Sequence, residues 1–138
     1  MKYILFLIVI FCFSCDKNTV VNNNSFLPNY TFSFDVNLNL PDYNNLEFAG
    51  NSVFINAPGV GVRGVFLFNT GSGFLAYDAA CPNQQLTDCS TMTLSQISAT
   101  CPCDSKKYSL YTGLSNGEKF PMKAYRIEIL DKTIRIYN

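Results

Sequence analysis

The sequence has no histidine and no tryptophan, and it has no surplus of either charge. Without histidine there is no imidazole to serve as general base or metal ligand, which removes Ser-His-Asp and Cys-His nucleophilic arrangements together. Only 14% of residues are charged, with ten Lys+Arg balancing ten Asp+Glu, so no basic surface points to a nucleic-acid partner. The apolar run from Tyr3 to Phe13 is unbroken, yet it falls short of the roughly 20 residues a membrane span needs. What the chain does have is twelve Phe, eight Tyr and six Cys. Aromatic side chains suit the half-buried surface of a pleated sheet, which favours a β-rich domain. At 138 residues the chain is one domain plus whatever its N-terminus does.

The N-terminus reads as an address. Lys2 precedes the apolar run, as in the h-region of a secretory signal. The run ends in Phe13-Ser14-Cys15-Asp16, with Cys12 just before. A small residue followed by Cys resembles the lipobox of bacterial lipoproteins, in which the Cys is acylated and becomes the first mature residue. The resemblance implies a signal peptide over 1–14, a lipidated Asn-rich tether over 15–29 that lacks sustained periodicity, and a domain over 30–138. It also implies a lipid-anchored protein of the bacterial cell envelope, facing the periplasm or the cell exterior. Cys12 leaves with the signal, and four cysteines remain in an oxidising compartment, an even number that permits full pairing.

Along the domain the signals are those of strands. Phe32, Phe34, Val36, Leu38 and Leu40 alternate on one face, a period of two. Asn51 to Asn56 predicts another strand, and Val65 to Asn69 is a continuous apolar run that predicts a buried one. Thr70 to Gly73 is a tight turn returning through Phe74 to Tyr77. Lys107 to Leu110, Lys123 to Leu130 and Thr133 to Tyr137 follow, the last two joined at Asp131-Lys132. With no convincing helix and about eight to ten short strands, the fold class is all-β, a sandwich or small barrel.

Four cysteines crowd the stretch Tyr77 to Gly113 in the order Cys81, Cys89, Cys101, Cys103. A bridge between Cys101 and Cys103 would close a small strained ring, so each is expected to pair across to Cys81 or Cys89, with both cross-pairings open. The C-x7-C-x11-C-x-C spacing lacks the C-x2-4-C pairs typical of structural zinc. Nor does it contain the redox C-x-x-C, which leaves a thiol–disulfide role only to a bridge that is labile and exposed. Asp78, Asp88 and Asp104 lie nearby and are expected to be solvated loop carboxylates, unpaired for acid–base work. No catalytic constellation is expected.

The stretch resembles a Rieske iron–sulfur domain, in which C-x-H and C-P-C-H loops hold a 2Fe-2S cluster. Cys81 and Cys101 stand at the cysteine ligand positions, and Asn83 and Asp104 stand where the two histidines belong. Ser105 to Tyr108, Thr112-Gly113, Phe120-Pro121-Met122 and Tyr125 to Tyr137 follow in the family's order. The resemblance implies a small β-sandwich or barrel carrying a cysteine-loop subdomain. It selects Cys89–Cys103 as the disulfide between the loops and leaves Cys81 beside Cys101, close enough to bond once no iron separates them. With both imidazoles absent, the expected protein has no cofactor and no metal. It is a disulfide-stabilised, non-enzymatic binding or structural module with an envelope protein as partner. The alternative is a 2Fe-2S electron-transfer protein with atypical ligands, in which Cys81 and Cys101 would still hold iron.

Overall fold

The computed structural model describes residues 23–138; the signal segment, Cys12, Cys15 and the first part of the tether lie outside the described residues. Nine strands follow in chain order: β1 (Ser33–Asn37), β2 (Ser52–Ile55), β3 (Val65–Asn69), β4 (Phe74–Asp78), β5 (Thr93–Ser95), β6 (Ser98–Thr100), β7 (Lys107–Ser109), β8 (Ala124–Leu130) and β9 (Thr133–Tyr137). The helical content among the described residues is a single 3-10 turn, Asn44–Glu47. All strand pairings are antiparallel. Six strands form one sheet in the order β1-β9-β8-β4-β3-β2, and β5-β6-β7 form a second, smaller one. The fold is all-β, with Cys81, Cys89, Cys101 and Cys103 gathered around the small sheet.

β3 explains the architecture. Its five residues VFLFN are all buried, because the strand is covered on both faces. Val65 and Leu67 enter one core with Val36, Ile55, Ile134 and Ile136. Phe66 and Phe68 enter another, built from Tyr77, Met92, Tyr108, Leu110, Met122, Cys81 and Cys101. The second core lies between the large sheet and the cysteine loops, and burying each Phe in it is worth about 1.5–3 kcal/mol. The turns match their chemistry. Gly71 supplies φ 93° in the β3–β4 turn, and its N–H is held by Asn69 Oδ1 at 2.8 Å. Asp131 takes φ 55° in the β8–β9 hairpin, where Leu130 pairs with Thr133.

Two features differ from expectation. The Ser/Thr-rich residues between Cys89 and Cys101, for which no strand was predicted, form the β5–β6 hairpin, turning at Gln96 with φ 47°. Ser52 Oγ donates to the Gln96 carbonyl and ties that turn to β2. The end of the stretch read as tether is docked on the domain. Asn24 and Leu27 are buried, Asn24 Nδ2 donates to the Pro82 carbonyl at 2.6 Å, and Phe26 meets Phe120 edge-on at 6.0 Å. An Asn amide can satisfy a buried carbonyl as readily as it can face water, so an Asn-rich composition does not by itself mean a solvated linker.

Candidate functional site

Two loops make the site. The first leaves β4 and carries Cys81 and Cys89; the second joins β6 to β7 and carries Cys101 and Cys103. Each is fixed by its own backbone. Cys81 N–H donates to the Ser90 carbonyl at 2.8 Å and Met92 N–H to that of Ala79 at 2.7 Å. Cys101 N–H donates to the Lys106 carbonyl at 2.8 Å, and Ser105 N–H donates back to Cys101 at 2.9 Å. Cys81 is bonded to Cys101 and Cys89 to Cys103, with Cα separations of 5.6 and 5.3 Å. This is the pairing the Rieske resemblance selects. The two bridges differ in access. Cys81 and Cys101 are buried in the second core, Cys103 is half-buried, and Cys89 is exposed. Even so, the Sγ atoms of Cys81, Cys101 and Cys103 all lie within 4.8 Å of one another.

The remaining ligand positions are occupied otherwise. Asn83 Nδ2 donates to the Phe120 carbonyl at 2.8 Å and to Tyr108 Oη at 2.9 Å, while Asn83 Oδ1 accepts from Phe120 N–H at 2.8 Å. Both ends of the amide are spent on tying the first loop to the segment before β8. Asp104 is exposed, and its Oδ1 accepts from Lys106 N–H at 2.9 Å, a local loop bond. A Rieske cluster needs two thiolates on one iron and two imidazoles on the other. Here the two sulfurs are joined to each other, one remaining position is an engaged amide, and the other is a loop carboxylate. This donor set does not fit the cluster. Hydrogen-bond donors also face the sulfurs: Gln84 Nε2 lies 3.2 Å from Cys101 Sγ, and Thr87 Oγ1 lies 3.3 Å from Cys89 Sγ.

Beneath the first loop sits a polar cluster that the sequence reading missed. Asp78, expected to be solvated, is fully buried at the end of β4, whereas Asp88 and Asp104 are exposed. Its Oδ2 accepts from Val62 N–H and from Tyr125 Oη, both at 2.5 Å, and its Oδ1 accepts from Ala80 N–H at 2.7 Å and Arg63 N–H at 3.3 Å. The 61–64 turn closes tightly over this carboxylate. A Cβ on Gly61, whose φ is 68°, would stand 2.8 Å from Asp78 Oδ2. Burial, and after it the Asp78 charge, pushes the Tyr125 hydroxyl far above its ordinary range. Lys123, also buried, reaches the other way and donates to the Pro28 carbonyl and to Asn29 Oδ1, each at 2.6 Å. Burial pulls its pKa down, and Asp78 partly opposes that. With its oxygens held by four donors, Asp78 clamps the 61–64 turn and β8 to β4 and has no open face for a substrate. Among the described residues every buried side-chain nitrogen and oxygen has a hydrogen-bond partner. The signal for this cluster was available: Asp78 continues the inward-facing end of a buried strand, where a carboxylate must be bonded to be tolerated.

Comparison with protein-family models gives no match, and comparison with curated proteins gives none either. Solved structures do match. The complex of reduced oxygenase and oxidized ferredoxin in carbazole 1,9a-dioxygenase gives a TM-score of 0.51 at 16% identity, covering 76% of this chain and 92% of that one. The ferredoxin of carbazole 1,9a-dioxygenase from Nocardioides aromaticivorans IC177 gives 0.48 at 14% identity, covering 78% and 97%. The Sphingomonas yanoikuyae B1 ferredoxin gives 0.45 at 16%, covering 66% and 88%. At such identities the likeness is one of fold, and the fold is Rieske-like.

Proposed function

We propose that this chain is a lipoprotein of the bacterial cell envelope whose Rieske-like domain has given up its iron–sulfur cluster and serves as a disulfide-closed binding or structural module. The observation that carries this reading is the state of the four ligand positions: Cys81 is bonded to Cys101, Asn83 is engaged at both ends of its amide, and Asp104 is turned to its own loop. Residues 1–14 are the signal peptide, Cys15 is the acylated residue, and the Asn-rich segment after it separates the membrane from the domain. The membrane is thus one partner, through the lipid. A protein of the same compartment is the other, a reading supported by the ferredoxin-fold chain solved in complex with an oxygenase. Nucleic acid is not a partner of so evenly charged a chain.

A second reading is an electron carrier holding a 2Fe-2S cluster on atypical ligands. One observation favours it: Cys81 and Cys101 meet at the place where two thiolates would share an iron. Peptide mapping without reduction separates the two, on chain isolated from envelopes with thiols blocked at lysis. The proposed module gives Cys81–Cys101 and Cys89–Cys103. Free Cys81 and Cys101 would support the cluster, and Cys81–Cys103 with Cys89–Cys101 would contradict the alignment of the two loops.

A further inference from the structure

The two disulfides sit side by side and differ sharply in access. Cys89 lies at the surface, Cys81 and Cys101 lie within the second core, and half-buried Cys103 stands between them. Cys103 is bonded to the exposed cysteine, yet its Sγ is within 4.8 Å of both sulfurs of the buried bridge. Thiolates break disulfides by direct attack on sulfur, so a thiolate formed at Cys103 would already be next to a target that no external thiol reaches. We infer that the four cysteines form one exchange system, in which Cys103 carries a reduction made at the exposed Cys89 inward to the Cys81–Cys101 bridge. This inference rests on the disulfide-closed reading above.

The reductant is a dithiol. One of its thiolates attacks Cys89 Sγ, forming a mixed disulfide and releasing Cys103 as thiolate. Its second thiolate then attacks its own sulfur in that bond, releasing Cys89 as thiolate and leaving as a closed disulfide. Thr87 Oγ1, 3.7 Å from Cys103 Sγ, is placed to donate to the released thiolate. Cys103 next attacks Cys81 Sγ. The Cys81–Cys103 bond forms, the Cys81–Cys101 bond breaks, and Cys101 departs as thiolate. Attack on Cys101 instead would close the strained C-x-C ring. Gln84 decides the same way: its Nε2, 3.2 Å from Cys101 Sγ, donates to that sulfur, and a donor at the leaving sulfur favours its negative charge. Overall, one dithiol is oxidised and one of the two protein disulfides is reduced. The dithiol's two protons end on Cys89 and Cys101, and the surviving bridge is Cys81–Cys103.

The test uses the full chain and a small dithiol such as dithiothreitol, in limiting amount, quenched in acid and alkylated in denaturant before peptide mapping. The expected products are alkylated Cys89 and Cys101 with a Cys81–Cys103 linked peptide. In Cys103→Ser, Cys101 should stay unalkylated under the same treatment, although Cys89 is then a free thiol. In Cys89→Ser, where Cys103 is free from the start, Cys101 should become alkylated with no reductant added. Far-ultraviolet circular dichroism checks that both variants fold. Alkylated Cys89 and Cys103 with Cys81–Cys101 intact in the wild type would overturn the exchange and leave the disulfide-closed reading standing. A starting map lacking the two bridges would overturn both.

Discussion

Asn83 and Phe120 hold each other through both backbone groups of Phe120, whose N–H donates to Asn83 Oδ1 and whose carbonyl accepts from Asn83 Nδ2, each at 2.8 Å. A neutral amide is a weak metal ligand beside imidazole, and both ends of this one are held by the Phe120 backbone. Asn83 thus clamps the first cysteine loop to the segment leading to β8.

Asn83→Ala therefore removes three hydrogen bonds, counting the one to Tyr108. At about 0.5–1.5 kcal/mol each, the domain should lose roughly 2–3 kcal/mol. Urea unfolding should show a lower midpoint with an unchanged slope. A wild-type midpoint would show that the amide clamps nothing.

Asp78→Ala should cost more, because it leaves three buried or half-buried backbone N–H groups and the Tyr125 hydroxyl without their acceptor. Four neutral donors left without their shared acceptor, at about 1 kcal/mol or somewhat more each, should cost roughly 3–5 kcal/mol together. Tyr125→Phe, which deletes one of the four donors, should cost only about 1–2 kcal/mol. Equal losses in the two variants would mean that Asp78 is not the centre of the cluster.

In alkali the tyrosines set the sign. Burial raises Tyr77, Tyr108 and Tyr125 above their ordinary value of 10.0. Folding thus favours their protonated forms, and that contribution is complete below pH 10 and lost as pH rises through the raised values. Lys123, lowered from 10.5 by burial, works in the opposite direction just below that value, since the unfolded chain then binds the extra proton. Lys132, raised by its bond to Glu47, acts in the same sense as the tyrosines, so the urea midpoint should fall above pH 10, with a shallower fall in Tyr125→Phe. A midpoint that keeps rising there would contradict the burial of these hydroxyls.

Much of this fold was legible in the sequence, and the gaps have physical causes. The doubly buried β3 was visible because Val65 to Phe68 are four apolar residues in a row with no polar one to turn outward, and the β8–β9 hairpin because Tyr125, Ile127 and Ile129 alternate before an Asp-Lys turn. The β5–β6 hairpin was hidden by its small Ser and Thr side chains, which resemble linker composition until Leu94 and Ala99 pair across it. Asn24 to Asn29 read as tether because polar residues signal solvent; what docks them is Lys123 and the Pro82 carbonyl, far away in sequence. Asp78 could be placed at the inward end of a strand, but its partners could not be named, since its four donors come from three separate segments. The cysteine pairing followed from family resemblance; spacing alone left two choices.

Cys15→Ala should block acylation and move the protein from the detergent phase to the aqueous phase or leave it unprocessed, with the β domain still folded. A single acyl chain binds membranes only marginally, whereas several anchor firmly, so the shift should be large. Equal partitioning of a mutant with proven signal removal would rule out the lipoprotein.

We propose that the Rieske-like fold persists here without its cluster. Iron and acid-labile sulfide analysis, with a visible spectrum, on wild-type chain purified natively without oxygen tests it most directly. The protein should be colourless, with neither element at stoichiometric level. About two irons per chain, with sulfide in equal amount and a reddish-brown spectrum, would contradict it.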